Sequence, residues 1–317
     1  MENYFIVDGH CDSIAHYVNH ERTLSAPTEG GHWDIPRARN ANVSLQFLAA
    51  FIETQYKPSK ATWRGLELIE GVHRFVEAHS DQVFLIREKL DLNRIPEPTK
   101  IGVLLSVEGG EILGENLFMV DTIFRLGVRS LGLTWNQRNA LADGVGEKET
   151  HSKLTHLGQA VVKRMNQLGM LIDVSHLNEE GFWHVLDLTE YPVAATHSCA
   201  QSLCPHPRNL TDPQLRALAK QKGIVGVNFY PEFLKGNSPV TRQDVVRHIS
   251  HIAEVAGVET VGFGSDFDGI DATPKGLENV SDYTYLIEDL EKIGFSNKEI
   301  EQISGGNFIR VLSDVLK

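Results

Sequence analysis

MLIDVSH (170–176) and PVAATH (192–197) are two almost unbroken apolar runs, and each ends in a histidine. Such runs are typical of strands that are buried on both faces of a parallel sheet. Six more runs of this kind occur along the chain: FIVDGH (5–10), VSLQFLAAFI (43–52), IGVLLSVE (101–108), VRSLGLT (128–134), GIVGVNFY (223–230) and TVGFGSD (260–266). The sequence therefore contains eight candidate strands.

Amphipathic stretches lie between most of these runs, for example residues 61–79, 154–169 and 241–257. Eight strands that alternate with helices predict an α/β fold, a (β/α)₈ barrel of the TIM type. No Pro/Ser-rich linker, charge block or short-period repeat interrupts the pattern. We therefore interpret residues 1–317 as one barrel domain.

The composition disfavours several classes of protein. There are 30 Lys and Arg against 42 Asp and Glu, a formal net charge of −12, which disfavours a phosphate-neutralising face for nucleic acid. The N-terminus MENYFIVDGH lacks the features of a signal peptide, and no run approaches the about 18 apolar residues of a spanning helix. Three cysteines do not make a disulfide framework and are interpreted as reduced thiols: Cys11, Cys199 and Cys204. A cytoplasmic protein without nucleic-acid or membrane partners is expected.

Metal-binding residue types collect at the ends of the predicted strands. In a barrel of this kind, chemistry takes place at the C-terminal ends of the strands. The residues found there are His10, Asp12, Glu108, Trp135, His176, His197, Tyr230 and Asp266. His10 and Asp12 share one side of an extended backbone. His176 and His197 end consecutive strands, about 4.8 Å apart, and can reach one ion.

These ligands sort into two predicted metal sites. His10, Asp12 and Glu108 would hold one ion, and Glu108, His176 and His197 the other, with Glu108 as a bridge. Nitrogen and oxygen donors suit Zn²⁺, with Mn²⁺ or Co²⁺ as alternatives. Two such ions can share a water, lower its pKa toward about 7 and supply a hydroxide for attack on a carbonyl or phosphoryl centre. Asp266 is then a candidate proton shuttle.

Other features are given structural interpretations. Gly109 and Gly110 allow a sharp turn after Glu108 and a close approach to a ligand, while GGEILG (109–114) lacks the context of a dinucleotide fingerprint. Asp268 is interpreted as a turn residue before Gly269, and His206 as a loop residue. Histidines within helical stretches are interpreted as surface or packing residues: His73, His79, His248 and His251.

Nine motifs spread over the chain resemble those of one known family. They are DGHCD (8–12), LLSVEGG (104–110), LIDVSH (171–176), THS (196–198), HPRN (206–209), VGVNFY (225–230), EVAGVETVGFGSDFDG (254–269), GLENVSDY (276–283) and GGNFIRVL (305–312). On these motifs the chain resembles the membrane (renal) dipeptidase family, peptidase family M19, from about residue 4 to its C-terminus. The resemblance implies a (β/α)₈ barrel with two zinc ions and a homodimer.

The resemblance also implies roles for individual residues. The catalytic aspartate of the family falls on Asp266. The family's zinc ligands, with Glu108 as the bridge, fall on His10, Asp12, Glu108, His176 and His197. The substrate-binding arginine falls on Arg208, whose planar guanidinium suits a terminal carboxylate. A surface ion pair is the structural alternative for Arg208. Trp135 and Tyr230 are further substrate-binding candidates.

Trp135 departs from the family pattern. The mammalian members read L-T-H at this place, and that histidine contacts the substrate near the scissile carbonyl, whereas this chain reads Leu133-Thr134-Trp135. Indole offers one N–H donor and does not protonate as imidazole does. Stabilisation of the oxyanion then falls to the Trp135 N–H, to Asn136 or Asn139, or to a zinc ion.

Three functional hypotheses follow. The first is a zinc-dependent dipeptidase that attacks dipeptides, including L-D dipeptides, with a hydroxide that bridges two ions. The second keeps the binuclear metal site but changes the substrate to another amide, a lactam or an ester, because Trp135 replaces the family histidine. The third is a non-catalytic barrel that binds a peptide or metal, and the presence of every predicted metal ligand speaks against it.

Overall fold

A closed parallel barrel forms the centre of the computed structural model, which describes residues 4–97, 99–147, 149–236 and 239–317. Its strands are β1 (Ile6–Asp8), β2 (Val43–Phe51), β3 (Val83–Leu85), β4 (Ile101–Glu108), β5 (Ser130–Gly132), β6 (Leu171–Asp173), β7 (Ala194–Ser198), β8 (Ile224–Val227) and β9 (Val261–Phe263). Eight strands close in the order β1-β2-β4-β5-β6-β7-β8-β9, and β9 pairs with β1. Each of the eight apolar runs overlaps one of these strands, so the predicted barrel is confirmed.

The strand β3 lies outside the barrel ring and was not among the predicted runs. It pairs with the first residues of β4, with Val83 opposite Ile101, whereas β5 pairs with β4 only from Ser106 onward. β3 therefore covers the lower half of the edge that β5 leaves open. Its three apolar residues, VFL, are too short a run to be distinguished from a buried turn by periodicity.

Helices connect the strands on the outside of the barrel. They are α1 (Ser13–Val18), α2 (Ile35–Asn40), α3 (Ala61–Ala78), α4 (Phe118–Arg125), α5 (His156–Leu168), α6 (Glu179–Leu188), α7 (Asp212–Lys220), α8 (Pro231–Leu234), α9 (Arg242–Ala256), α10 (Tyr283–Lys292), α11 (Asn297–Glu301) and α12 (Asn307–Val315). The three predicted amphipathic helices correspond to α3, α5 and α9. The bounds of α5 follow from its caps, because Thr155 accepts a hydrogen bond from the Gly158 N–H and Gly169 ends the helix at φ 80°.

The core has two parts, and the smaller one closes the lower end of the barrel. Side chains from the N-terminal halves of the strands, such as Val7 and Phe47, pack with Phe308 and Leu312 of α12. The rings of Phe47 and Phe308 lie 5.4 Å apart in an edge-on contact. The larger cluster lies between strands and helices. With one end sealed by apolar residues, the polar strand ends at the other end are free to form a site.

Two expectations about the chain as a whole can be compared with the structure. Cys11, Cys199 and Cys204 are all buried and free of disulfide bonds, as predicted. Within the four described segments, every helix is too short or too polar to cross a bilayer.

Candidate metal centre and active site

Glu108 and four other buried side chains cluster at the C-terminal end of the barrel, with Glu108 at the centre. Its Oε1 is 2.8 Å from His176 Nε2 and 3.5 Å from His197 Nε2. Its Oε2 is 3.3 Å from His10 Nε2, and Asp12 Oδ2 lies 3.3 Å from the same nitrogen. The structure therefore brings all five predicted metal ligands together, although they come from the ends of four different strands.

The donor atoms form three overlapping sets with the spacing of metal ligands. Within each set, all donor atoms lie within 4.8 Å of one another: Glu108, His176 and His197; His10, Asp12 and Asp266; His10, Asp173 and His197. The first set is one of the two predicted sites. The second set contains Asp266 together with His10 and Asp12, so Asp266 lies directly beside two predicted metal ligands. Asp173 was not foreseen as a neighbour of the site.

Unusual backbone conformations aim these side chains into the site. His176 and Asp266 adopt the left-handed conformation, with φ 65° and 64°. This conformation is uncommon for residues other than glycine and is concentrated at functional sites. Gly109, directly after Glu108, has φ 107°, so the expected sharp turn is present. At Gly269 a side chain would occupy the site itself, because a Cβ there would lie 2.1 Å from Asp12 Oδ2.

Hydrogen bonds orient two of the three histidines. His176 Nδ1 lies 2.7 Å from Asn136 Oδ1, an acceptor, so this nitrogen carries the hydrogen. His197 Nδ1 lies 2.9 Å from Thr196 Oγ1. The Nε2 atoms of the two rings then face each other at 2.9 Å. Two bare nitrogen lone pairs this close repel each other, and a cation bound near both relieves the repulsion.

Burial and neighbouring charges shift the pKa values of the three histidines in different directions. Burial lowers the pKa of His176 well below its ordinary value, and the positive charge of Arg208 adds to this effect. Burial also lowers the pKa of His197, with a further contribution from His10. Burial acts on His10 as well, but Asp12 and Glu108 together outweigh it and raise the pKa of this ring well above its ordinary value. Of the three rings, His10 is thus the one whose surroundings favour the protonated form.

The two carboxylates next to His10 shift in opposite directions. Burial tends to raise the pKa of Glu108, but the charge of His10 outweighs it and holds the pKa well below its usual range. For Asp12 burial prevails, and its pKa is raised. Glu108 is therefore the more firmly ionised of the two, as suits a carboxylate that both halves of the site share.

A cavity of about 530 Å³ opens above the cluster, and several predicted residues form its wall. Asp12, Glu108, His176 and Asp266 face it from below. Its wall also includes Trp135, Asn136, Tyr230, Phe233, Phe51 and Ile270. The volume is that of a small-molecule site.

Arg208 lies beside this cavity rather than on its wall. The side chain is buried, and its Nη2 donates to the His197 carbonyl oxygen at 2.9 Å. Its guanidinium carbon is 5.4 Å from the ring centre of Phe233, which lines the cavity. The Nε atom has no hydrogen-bond partner among the described residues. The surface ion pair that was the alternative for Arg208 is therefore wrong, because the residue is buried.

Asp266 has a neighbour that sequence reasoning missed. Its Oδ2 accepts a hydrogen bond from Asn228 Nδ2 at 2.9 Å, and Asn228 Oδ1 in turn accepts from the Tyr230 N–H at 2.6 Å. Asn228 therefore connects the candidate catalytic carboxylate to the chain segment that carries Tyr230. Its place two residues before Tyr230, at the end of β8, is the signal that could have identified it.

The asparagines proposed for oxyanion stabilisation have different surroundings. Asn136 lines the cavity, but its side-chain oxygen is bound to His176. Asn139 donates to the Leu133 carbonyl and accepts from two backbone N–H groups of its own loop. These bonds organise the loop, and Asn139 does not line the cavity.

Asp268 and Lys57 add contacts around the site. Asp268 lies in a turn as expected, but it is buried and accepts from the His32 N–H at 2.8 Å, with Arg22 also 2.8 Å away. Asp268 therefore anchors the loop after α1 as well as forming the turn.

Lys57 supports the aromatic wall of the cavity. Its Nζ lies 5.0 Å from the ring centre of Trp135 and forms a buried ion pair with Glu111 Oε1 at 3.2 Å.

Comparison with known proteins places this geometry among peptidases. The sequence profile of the membrane dipeptidase family (peptidase family M19) matches residues 1–317. Dipeptidase aclJ of Aspergillus oryzae is 34% identical over 331 residues, which cover 98% of this chain and 78% of that protein. The structure of dipeptidase AC, a metallopeptidase of family M19, superimposes with a TM-score of 0.92 at 27% identity, covering 99% of each chain.

A second solved structure carries a ligand. It is a metallopeptidase from Rhodobacter sphaeroides, liganded with a phosphinate mimic of the dipeptide L-Ala-D-Ala. It superimposes with a TM-score of 0.93 at 25% identity, over 99% of this chain and 100% of that one. The likeness to both structures therefore extends over the whole barrel.

Proposed function

This chain belongs to the membrane dipeptidase family, peptidase family M19, and is a metallo-dipeptidase, and we propose that it uses two zinc ions to hydrolyse dipeptides, including L-D dipeptides. One ion would be held by His10, Asp12 and Glu108 and the other by Glu108, His176 and His197. Mn²⁺ or Co²⁺ could take the same nitrogen and oxygen ligands.

The observation that carries the proposal is the convergence of donor atoms around Glu108. His176 Nε2 and His197 Nε2 lie 2.9 Å apart, and each ring has a hydrogen-bond partner for its Nδ1. His10 Nε2 and Asp12 Oδ1 are buried and have no hydrogen-bond partner within the described segments. Buried polar atoms that converge without partners are costly unless something binds them. Nitrogen and oxygen donors of this kind fit zinc.

The residues of the chain then have distinct parts in the reaction. When bound, two zinc ions supply a Lewis acid for the scissile carbonyl and a shared water of lowered pKa. Asp266 accepts the proton of the attacking water and passes it to the leaving amine, as general base and then general acid. Asn228, at 2.9 Å, fixes the orientation of the Asp266 carboxylate.

Substrate recognition is assigned to the side of the cavity next to Arg208. The free carboxylate of the dipeptide would pair with this guanidinium, whose Nε is buried and unpartnered within the described residues. Tyr230 and Trp135, on the cavity wall, would contact the rest of the substrate. Acceptance of a D-residue at the C-terminal position is supported by the ligand of the Rhodobacter sphaeroides relative, a mimic of L-Ala-D-Ala.

A second candidate keeps the metal site and changes the substrate. Trp135 lies on the cavity wall, with its ring centre 6.0 Å from that of His176. An indole beside the metal ligands offers a flat apolar surface and a single donor. This surface would also suit another amide, a lactam or an ester.

The test is hydrolysis of a panel of L-L and L-D dipeptides by zinc-loaded protein, with and without chelator. We expect cleavage that chelator abolishes and added zinc restores. A matched panel of N-acylated amides, lactams and esters separates the two candidates. Cleavage of these compounds by fully metallated protein that leaves every dipeptide intact would contradict the dipeptidase proposal.

A further inference from the structure

A buried chain of hydrogen bonds runs from β6 to the metal centre. Asp173 Oδ2 lies 2.5 Å from Thr196 Oγ1, and the same hydroxyl oxygen lies 2.9 Å from His197 Nδ1. All three residues are at most 3% exposed. The predicted mechanism uses His197 alone, and the sequence motifs LIDVSH and THS contain the other two residues without a role for them.

Asp173 is placed as an acceptor for three donors. Its Oδ1 accepts from the Ser175 N–H at 2.9 Å and from the Thr196 N–H at 3.1 Å. Its Oδ2 accepts from the Thr196 hydroxyl. Although Asp173 lies within 4.8 Å of donor atoms of His10 and His197, both of its oxygens are already engaged. It is therefore better suited to orient a metal ligand than to be one.

The direction of each hydrogen bond follows from the donors available. An ionised carboxylate only accepts, so the single hydrogen of the Thr196 hydroxyl points to Asp173. The hydroxyl oxygen can then only accept from His197, which requires the hydrogen of the ring on Nδ1. His197 Nε2 is left bare, facing His176 and Glu108.

We propose that Asp173 and Thr196 are positioning residues that fix the tautomer of His197 and so keep its Nε2 available for a metal ion. The effect on metal affinity rests on the proposed metal site. The assignment of the His197 tautomer does not. Partners of this kind, one step removed from a metal ligand, typically change metal affinity by about 10–100-fold.

Two isosteric variants break the chain of hydrogen bonds at different points. Asp173→Asn keeps the oxygen that accepts the two backbone N–H groups but can present an N–H₂ donor to Thr196, whose hydroxyl hydrogen is then free to point at His197 Nδ1. Thr196→Val keeps the shape and removes the hydroxyl. Thr196→Ser is the matched control, because it retains the hydroxyl and removes only a methyl group.

The first measurement is the ¹⁵N spectrum of metal-free protein labelled at histidine, with His197 assigned by its loss in His197→Gln. We expect the Nδ1–H tautomer in the wild type and in Thr196→Ser, and a shift toward Nε2–H in Asp173→Asn and Thr196→Val. An unchanged tautomer in both disruptive variants would overturn the proposal. Intact near-ultraviolet circular dichroism in each variant shows that the fold is retained.

The second measurement is the zinc affinity of the same four proteins. We expect a loss of about 10–100-fold in Asp173→Asn and Thr196→Val, and wild-type affinity in Thr196→Ser. Wild-type affinity in a variant whose tautomer has changed would overturn the link to metal binding. Failure of the proposed function is distinguishable, because wild-type protein would then bind no zinc while the tautomer still responds to the variants.

Discussion

His176 and His197 each bind a side chain through Nδ1, whereas neither ring nitrogen of His10 has a hydrogen-bond partner among the described residues. The His10 half of the centre consists instead of opposite charges. Its Nε2 lies 3.3 Å from both Asp12 and Glu108, and these carboxylates raise the pKa of the ring. One half of the site is therefore oriented by hydrogen bonds, and the other is held by charge.

The difference indicates how each half would respond to a metal ion. The rings of His176 and His197 are neutral, because burial lowers the pKa of both, and their Nε2 atoms already point at Glu108. They need to give up no proton. Two carboxylates favour the protonated form of His10, and binding of a cation there requires release of that proton. We therefore expect metal binding by this half to depend more strongly on pH.

The largest effect is expected where the halves meet, at Glu108. Glu108→Gln keeps the size of the side chain but removes the charge that both halves use. We expect turnover to be abolished and both ions to be bound more weakly, as measured by the metal content after dialysis and by dipeptide hydrolysis. Loss of only one ion, with the other retained at wild-type affinity, would show that Glu108 does not bridge the two halves.

A smaller effect is expected at Asp266, on the His10 side. Its Oδ1 lies 3.8 Å from His10 Nε2, while its Oδ2 is held by Asn228. Asp266→Asn should lower kcat by about 10²–10⁴-fold, the usual contribution of general acid–base catalysis. The metal content should remain that of the wild type. A variant that turns over at a rate close to the wild type would exclude Asp266 as the proton carrier.

The strand ends could be predicted from the sequence because a parallel barrel brings them together whatever the loops do. His10, Glu108, His176 and His197 each end a recognisable apolar run, and their meeting follows from the fold. The family resemblance added a role for Arg208 and agreed with the proton-shuttle role of Asp266, and both roles stay predictions. So do the homodimer, the single domain, the two zinc ions and the cleavage of L-D dipeptides.

The partners of these residues could not be predicted, because they depend on side-chain direction and loop path. The sequence makes Asn136 a candidate for the oxyanion, yet its side-chain oxygen binds His176, a contact set by the turn that follows β5. The contact between Asn228 and Asp266 joins residues 38 positions apart in the sequence. Left-handed φ angles at His176 and Asp266 are likewise invisible to hydrophobic periodicity.

Asn136 provides a test of the half that is oriented by hydrogen bonds. Asn136→Leu removes the acceptor for His176 Nδ1 at similar volume, and we expect zinc affinity to fall by about 10–100-fold. Asn19→Leu is the control, because Asn19 also lines the cavity but its side-chain oxygen accepts from Arg64. Equal zinc affinities in the two variants would mean that the hydrogen bond to His176 does not contribute to metal binding.

The smallest effect on the site is expected from a buried histidine that the backbone holds. His248, on α9, accepts from the Ala200 N–H at 3.1 Å and donates to the Leu234 carbonyl oxygen at 2.9 Å. With both nitrogens engaged, it has no lone pair for a metal. His248→Gln should therefore leave zinc content and kcat unchanged and act only on stability.

That stability effect has a definite dependence on pH. Burial lowers the pKa of His248 from 6.5 to about 4, so the folded state favours the neutral ring. Its contribution to stability is complete above pH 6.5, declines as the pH falls toward 4, and changes no further below that. At about 1.4 kcal/mol for each pKa unit, the wild type should lose about 3 kcal/mol over this window.

Urea unfolding of metal-free protein at pH 7 and pH 4.5 measures this loss of stability. It should be smaller in His248→Gln, which has no ring to titrate. If His248→Gln loses as much stability as the wild type, another group titrates in this window, and the backbone does not hold His248 in its neutral form.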